Sequence, residues 1–179
     1  MSASTSTGSA APLLEVTDLR VTFDTEDGVV RAVDGVSFEL GEGETLGIVG
    51  ESGSGKSVTM MSVMRLIIDP NAHFAGSVFY RGQDLMALDK KEMRAVRGSE
   101  VAMIFQDPMT SLNPVYKVGW QIAEQIRAHR KVSKAEANQL AVELLAAVGI
   151  PNPERRANDY PHHFSGGMRQ RVMIALALS

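Results

Sequence analysis

The stretch Gly50-Glu51-Ser52-Gly53-Ser54-Gly55-Lys56-Ser57 constrains the fold more than any other part of this chain. Its spacing is G-x-x-x-x-G-K-[ST], and both flanks agree with it. Thr45-Leu46-Gly47-Ile48-Val49 ahead of it reads as a short buried strand. Behind it, Met60, Val63, Met64 and Ile67 fall at i, i+3, i+4 and i+7, one face of an amphipathic helix. Glycines let the backbone curl tightly and approach phosphate oxygens. The loop N–H groups then form an anion nest, and the following helix adds its positive end. Lys56 is expected to reach the β- and γ-phosphates of a nucleoside triphosphate, and Ser57 to place its hydroxyl on Mg²⁺. The plainer alternative is a glycine-rich turn that happens to precede a helix, and the two flanks argue against it.

Composition narrows the class. The 179 residues suit one domain with its own core, and 44% hydrophobic with 22% charged residues is ordinary for a soluble globular protein. A net charge of −3 without a Lys/Arg block gives no electrostatic footprint for nucleic acid. The chain has no cysteine, so it can form neither a disulfide nor a zinc–thiolate or iron–sulfur site. No apolar run has the length of a membrane span. Residues 1–12 are Ser/Thr/Ala-rich, without a basic start or an apolar stretch, and are expected to be a disordered tail. Membrane association must then come through another protein.

Periodicity places the remaining elements. Leu19, Val21 and Phe23, then Val36, Phe38 and Leu40, alternate with polar residues as half-buried antiparallel strands do, with Glu26-Asp27-Gly28 as the turn between. Ser77-Val78-Phe79-Tyr80 is a further strand. Residues 89–97 form a short helix with Asp89 as N-cap, Glu92 reaching back and Gly98 as the stop. The apolar run Val101-Ala102-Met103-Ile104-Phe105 suits a buried parallel strand. Residues 115–130 and 133–148 are helical. In the second, Ser133 and Glu136 make a capping box, and Ala137, Ala141, Leu144, Leu145 and Val148 make one face. A last helix begins near Gly167.

A second motif narrows the reading. Phe164-Ser165-Gly166-Gly167-Met168-Arg169-Gln170-Arg171 resembles the signature of ATP-binding-cassette (ABC) ATPases, L-S-G-G-Q, with Phe164 for Leu and Met168 for the final Gln. Ser165 and two glycines at a helix start can form another anion site, although alone they read equally as a helix N-cap. Gln106, directly after the 101–105 run, looks like the family's Q-loop, and a carboxamide can both donate and accept; by itself it reads as a polar end to a strand. Phe23 stands at the aromatic position that stacks on adenine, or else is a core aromatic. The wording of residues 105–114 and 160–171 is similar to ATPase subunits of bacterial dipeptide/oligopeptide importers, a group that includes some nickel importers. His162 and His163 precede the signature without other ligands nearby and are expected to be structural or exposed.

The resemblance covers residues 13–178 and implies an α/β P-loop NTPase. A RecA-like core carries an antiparallel β-subdomain and a helical subdomain over about residues 107–160. It implies ATP and Mg²⁺ as cofactors. Gly50, Glu51, Ser52, Gly53, Ser54, Gly55, Lys56 and Ser57 bind ATP, with Phe23 on the base, and Gln106 and Ser57 attend the metal. Ser165, Gly166 and Gly167 grip the ATP of a second ATPase subunit, identical or homologous. Closure of the pair drives permease subunits at the cytoplasmic face of the inner membrane, fed by a peptide-binding protein. In the family, the Walker B Asp, catalytic Glu, D-loop and switch His follow the signature helix. None lies within these 179 residues, and Ile67-Ile68-Asp69-Pro70 does not qualify. The segment is therefore expected to be an N-terminal part that binds ATP without turning it over. Transport of nickel or another solute, and a non-catalytic fragment competing for the transporter, are the alternatives. A soluble ABC protein acting on ribosomes or DNA would need basic patches or tandem cassettes, and neither is visible.

Overall fold

The structure, a computed structural model, describes residues 11–105 and 112–179. It divides into two compact units at Met93/Arg94, each taken by itself below.

The first unit is built on a four-stranded antiparallel sheet of order β2-β1-β3-β4, formed by β1 Leu14–Thr25, β2 Gly28–Leu40, β3 Ala72–Tyr80 and β4 Gln83–Asp84. Glu26 and Asp27 close the first hairpin between the paired Thr25 and Gly28, as their turn chemistry requires. Val16, Leu19, Val21, Val33 and Val78 are buried, while Phe23, Phe38 and Leu40 are half-buried and Val36 is exposed, so alternation holds for Leu19 and Val21 but not along β2. β3 begins five residues before the expected Ser77.

One irregularity crosses three strands. The register of β1 slips after Val16 against β2 and after Thr17 against β3, and Asp18 takes φ 47° at the slip. Gly76 faces it with φ 91°, and a Cβ there would lie 2.4 Å from the Asp18 carbonyl oxygen. The Arg20 guanidinium donates to Asp18 Oδ1 at 2.9 Å and also to Asp34, bracing the bulge. The hydrogen bond and charge of Asp18, then the charge of Asp34, raise the Arg20 pKa.

Two expectations need correction in this unit. Residues 45–49 join no strand ladder, and Leu46, Ile48 and Val49 are exposed. An apolar run becomes a strand only where a neighbour accepts its hydrogen bonds, and none of the described residues pairs with this one. The helix after the loop, α1 Lys56–Val63, is shorter than expected, because Arg65 turns to φ 48° just past the Met64 cap. Its buried side is Thr59, Ser62 and Val63, with Met64, while Met60 and Ile67 are only half-buried. The buried hydroxyls donate within the helix, Thr59 Oγ1 to the Gly55 carbonyl at 3.0 Å and Ser62 Oγ to that of Val58 at 2.7 Å. Burial then leaves no polar atom unpaired.

Helix α2, Lys90–Val96, spans the division and starts as the sequence indicates. Asp89 Oδ1 accepts from the Lys91 and Glu92 N–H groups, and Glu92 Oε2 accepts from the Asp89 N–H.

The second unit is helical: α3 Val118–His129, α4 Lys134–Ala147, α5 Pro153–Arg156, a 3₁₀ turn Pro161–His163 and α6 Gly166–Ala177. Its core joins Val118, Ile122 and Ile126 of α3, Ala137, Ala141 and Leu145 of α4, Phe164, and Val172 and Ala175 of α6. Each fully buried Leu or Ile there contributes about 1.5–3 kcal/mol. Leu144 and Val148, expected on the α4 face, pack against its edge. Ser133 caps α4 by accepting from the Glu136 N–H at 3.2 Å. α3 begins three residues later than expected. Gln121 holds the preceding turn through the Asn113 and Tyr116 carbonyls, each at 2.9 Å. The first α3 donors, Val118 and Gly119, bond instead to the Asp159 and Ala157 carbonyls at 3.0 and 2.8 Å.

The run at 101–105 is the third correction. Only Val101 makes a parallel bridge, to Arg97, and Ile104 and Phe105 are exposed. The reason is the same as at 45–49: no described strand lies alongside.

Candidate functional site

The phosphate loop links β2 of the first unit to α1. Gly55 is the N-cap of α1, at φ 85°, and no side chain caps it. A Cβ on Gly55 would lie 2.3 Å from the Ala32 carbonyl oxygen, so β2 passes directly against the loop. A Cβ on Gly50 would lie 2.7 Å from Ser54 Oγ. The loop is therefore folded tightly enough to exclude a side chain at Gly55, while at Gly50 the near atom is the end of the Ser54 side chain. Lys56 turns back over it. Its Nζ donates to the Gly50 carbonyl at 2.8 Å, the Glu51 carbonyl at 2.6 Å and Ser54 Oγ at 3.2 Å. Residues 51–54 and Ser57 are exposed, leaving the concave side open to solvent. A helix start without a side-chain cap and one ammonium beside it are parts of an anion site.

The signature residues form the start of α6 in the second unit. Ser165 is the N-cap, in extended conformation, and its hydroxyl accepts from the Met168 N–H at 3.3 Å. Ser165, Gly166 and Gly167 are exposed, and a Cβ on either glycine would meet nothing within 4 Å. Phe164 behind them is 2% exposed and belongs to the helical core. An aromatic ring there does the packing that Leu would do.

Phe23 lies in β1, half-buried, opposite Val30 of β2 and Ala72 of β3. Gln106 and the expected start of the helical subdomain at 107 lie outside the described residues, as does most of the expected tail over 1–12. His162 and His163 are exposed in the 3₁₀ turn, their rings edge-to-face at 4.3 Å. Among the described residues, no group of three or more His, Cys, Asp or Glu could hold a metal ion. No helix among them is long and apolar enough to cross a membrane. Ala32 and Arg169, which buttress the loop at Gly55 and the start of α6, carry no signal in the sequence. Arg169 sits five residues after Phe164 and donates Nε to its carbonyl at 3.0 Å, a contact that only the folded cap creates.

With strand, loop, helix and second helix start in place, the chain can be set beside known proteins. Residues 33–179 match the family model described as ABC transporter, and the chain belongs to that family. It is 59% identical over 168 residues to the oligopeptide transport ATP-binding protein OppD of Bacillus subtilis, covering 93% of this chain and 47% of that protein. It is 53% identical to OppD of Salmonella typhimurium and 51% identical to the dipeptide transport ATP-binding protein DppD of Bacillus subtilis, each over 93% of this chain. The chain spans about half the length of the curated relatives it matches. Among solved structures, a dimeric ATP-binding cassette in a post-hydrolysis state, bound to ADP and Pi, superposes with a TM-score of 0.80 at 26% identity. That match covers 92% of this chain and 68% of the other. The fold is that of an α/β ABC cassette.

Proposed function

We propose that this chain is the nucleotide-binding part of the ATPase subunit of a bacterial dipeptide/oligopeptide importer. The observation that carries the reading is the loop at Gly50–Ser57, closed by the three bonds of Lys56 and open toward solvent. The 59% identity to an oligopeptide transport ATP-binding protein supports the substrate class.

The residues present fit a triphosphate. Gly55 lets the loop pack against the Ala32 carbonyl with its other side exposed, and the Lys56 ammonium stands over the loop. Loop N–H groups hold the phosphates, Lys56 neutralises the β- and γ-oxygens, and Phe23 stacks on the base. The Ser57 hydroxyl and the Gln106 carboxamide hold Mg²⁺, which supplies charge neutralisation at the phosphates. Ser165, Gly166 and Gly167 offer their helix start to the ATP of a second subunit, so two copies or homologues close around two nucleotides. The pair acts at the cytoplasmic face of the membrane on permease subunits served by a peptide-binding protein. The 179 residues hold no strand ending in Asp-Glu to orient the attacking water, so they bind ATP without turnover.

Equilibrium binding of Mg-ATP to the 179-residue chain tests the reading, with Lys56→Ala as the control. Loss of binding in the variant is expected, and equal binding by both overturns the loop assignment. Steady phosphate release that Lys56→Ala abolishes would overturn the absence of turnover.

A further inference from the structure

The two arginines around Phe164 have no part in the function as described so far. Phe164 joins the buried helical core to the exposed start of α6. Its ring is 2% exposed, with the Arg156 guanidinium 5.7 Å from the ring centroid. Arg156 is itself fixed by Asp159 at 3.0 Å. The Phe164 carbonyl, which begins the peptide leading into Ser165, accepts from Arg169 Nε at 3.0 Å. The backbone N–H of Arg169 donates to the Ser165 carbonyl at 2.9 Å. One residue thus binds both carbonyls that bracket the cap, one through its side chain and one through its backbone. Ser165 Oγ closes the ring by accepting from Met168 N–H.

We propose that Arg169 is a positioning residue that fixes the direction of the Ser165–Gly167 N–H groups by holding the Phe164 carbonyl. The inference rests on the reading of these groups as the site for a partner subunit's ATP. The physical ground is simple. Gly166 and Gly167 have no side chain to restrain them, and nothing stands within 4 Å of where one would be. Their orientation is set by the peptide that enters the helix, and among the described residues Arg169 Nε is a charged donor to that peptide. A hydrogen bond from a charged donor is among the stronger ones, and a planar guanidinium fixes direction as well as distance. Lysine, a point charge on a flexible stem, cannot copy the Nε geometry.

The test uses Arg169→Ala and Arg169→Lys in the 179-residue chain. Amide hydrogen exchange at residues 165–168 is expected to quicken about tenfold in both, with exchange in α4 unchanged. Unchanged exchange at 165–168 in Arg169→Ala overturns the proposal, as does wild-type exchange in Arg169→Lys. Mg-ATP-dependent pairing, followed by sedimentation, supplies the second readout. Both variants should need about tenfold more ATP to pair, while binding ATP at their own loop as wild type does. Mixing Arg169→Ala with Lys56→Ala should restore pairing, because the second copy brings an intact signature to the first copy's intact loop. Failure of that rescue, with wild type pairing normally, assigns Arg169 to general stability and overturns the proposal. If wild type binds no ATP, the importer reading fails, and the exchange rates alone decide the role of Arg169.

Discussion

Gly55 and the carbonyl of Ala32 are in such close contact that a single added methyl would come within 2.3 Å of the oxygen. Strand β2 therefore helps to shape the phosphate loop. Gly55→Ala meets both the clash and a left-handed φ of 85°, and the left-handed conformation alone costs about 1 kcal/mol or more. The variant is expected to unfold at lower urea and to lose Mg-ATP binding. A variant with wild-type midpoint and affinity would refute the close contact.

Lys56→Ala removes three hydrogen bonds from the loop as well as the charge proposed to meet phosphate. Charge-assisted bonds contribute about 1.5–3 kcal/mol each, so losing those the ammonium would make to phosphate should lower ATP affinity at least tenfold. Titration with a fluorescent ATP analogue measures it. Global stability should change much less, because the side chain lies at an exposed loop.

Gly76→Ala probes the bulge at Asp18. The new Cβ would lie 2.4 Å from the Asp18 carbonyl oxygen and 2.6 Å from that of Thr17. The expected loss is about 2 kcal/mol or more, from the strained φ of 91° and the displaced backbone. Gly166→Ala, with open space and an ordinary φ, should stay within about 0.5 kcal/mol of wild type. Parallel denaturation curves of the two variants check the contrast.

Leu145→Ala empties a fully buried position between α3, α4 and α6. A cost of about 2–5 kcal/mol is expected from lost burial and the cavity left behind. Exchange protection should fall first in the helices of the second unit. Loss confined to residues 11–93 would contradict the core described above.

The elements legible in the sequence were those written in local chemistry. Asp89, Ser133 and Ser165 each cap the helix that follows, because a cap needs only a short side chain and a nearby N–H. The tight turn into α1 was legible for the same reason, since its shape depends on a glycine at Gly55. The runs at 45–49 and 101–105 were misread because a strand depends on a neighbour far away in sequence. The face of α1 was misread because Thr59 and Ser62 satisfy their own hydroxyls and can be buried at no polar cost. Arg169 was invisible because its partner is a backbone carbonyl, and carbonyls carry no signal in a sequence.

The bonds that Lys56 makes to its own loop have a thermodynamic consequence. The ammonium is not bare: under the proposed function it would give up the Gly50 and Glu51 carbonyls to take phosphate oxygens. Nucleotide entry at this position would then be an exchange of partners, driven by the difference between two sets of hydrogen bonds. The loop is held in shape before the nucleotide arrives, so less ordering is left to be done at the moment of binding.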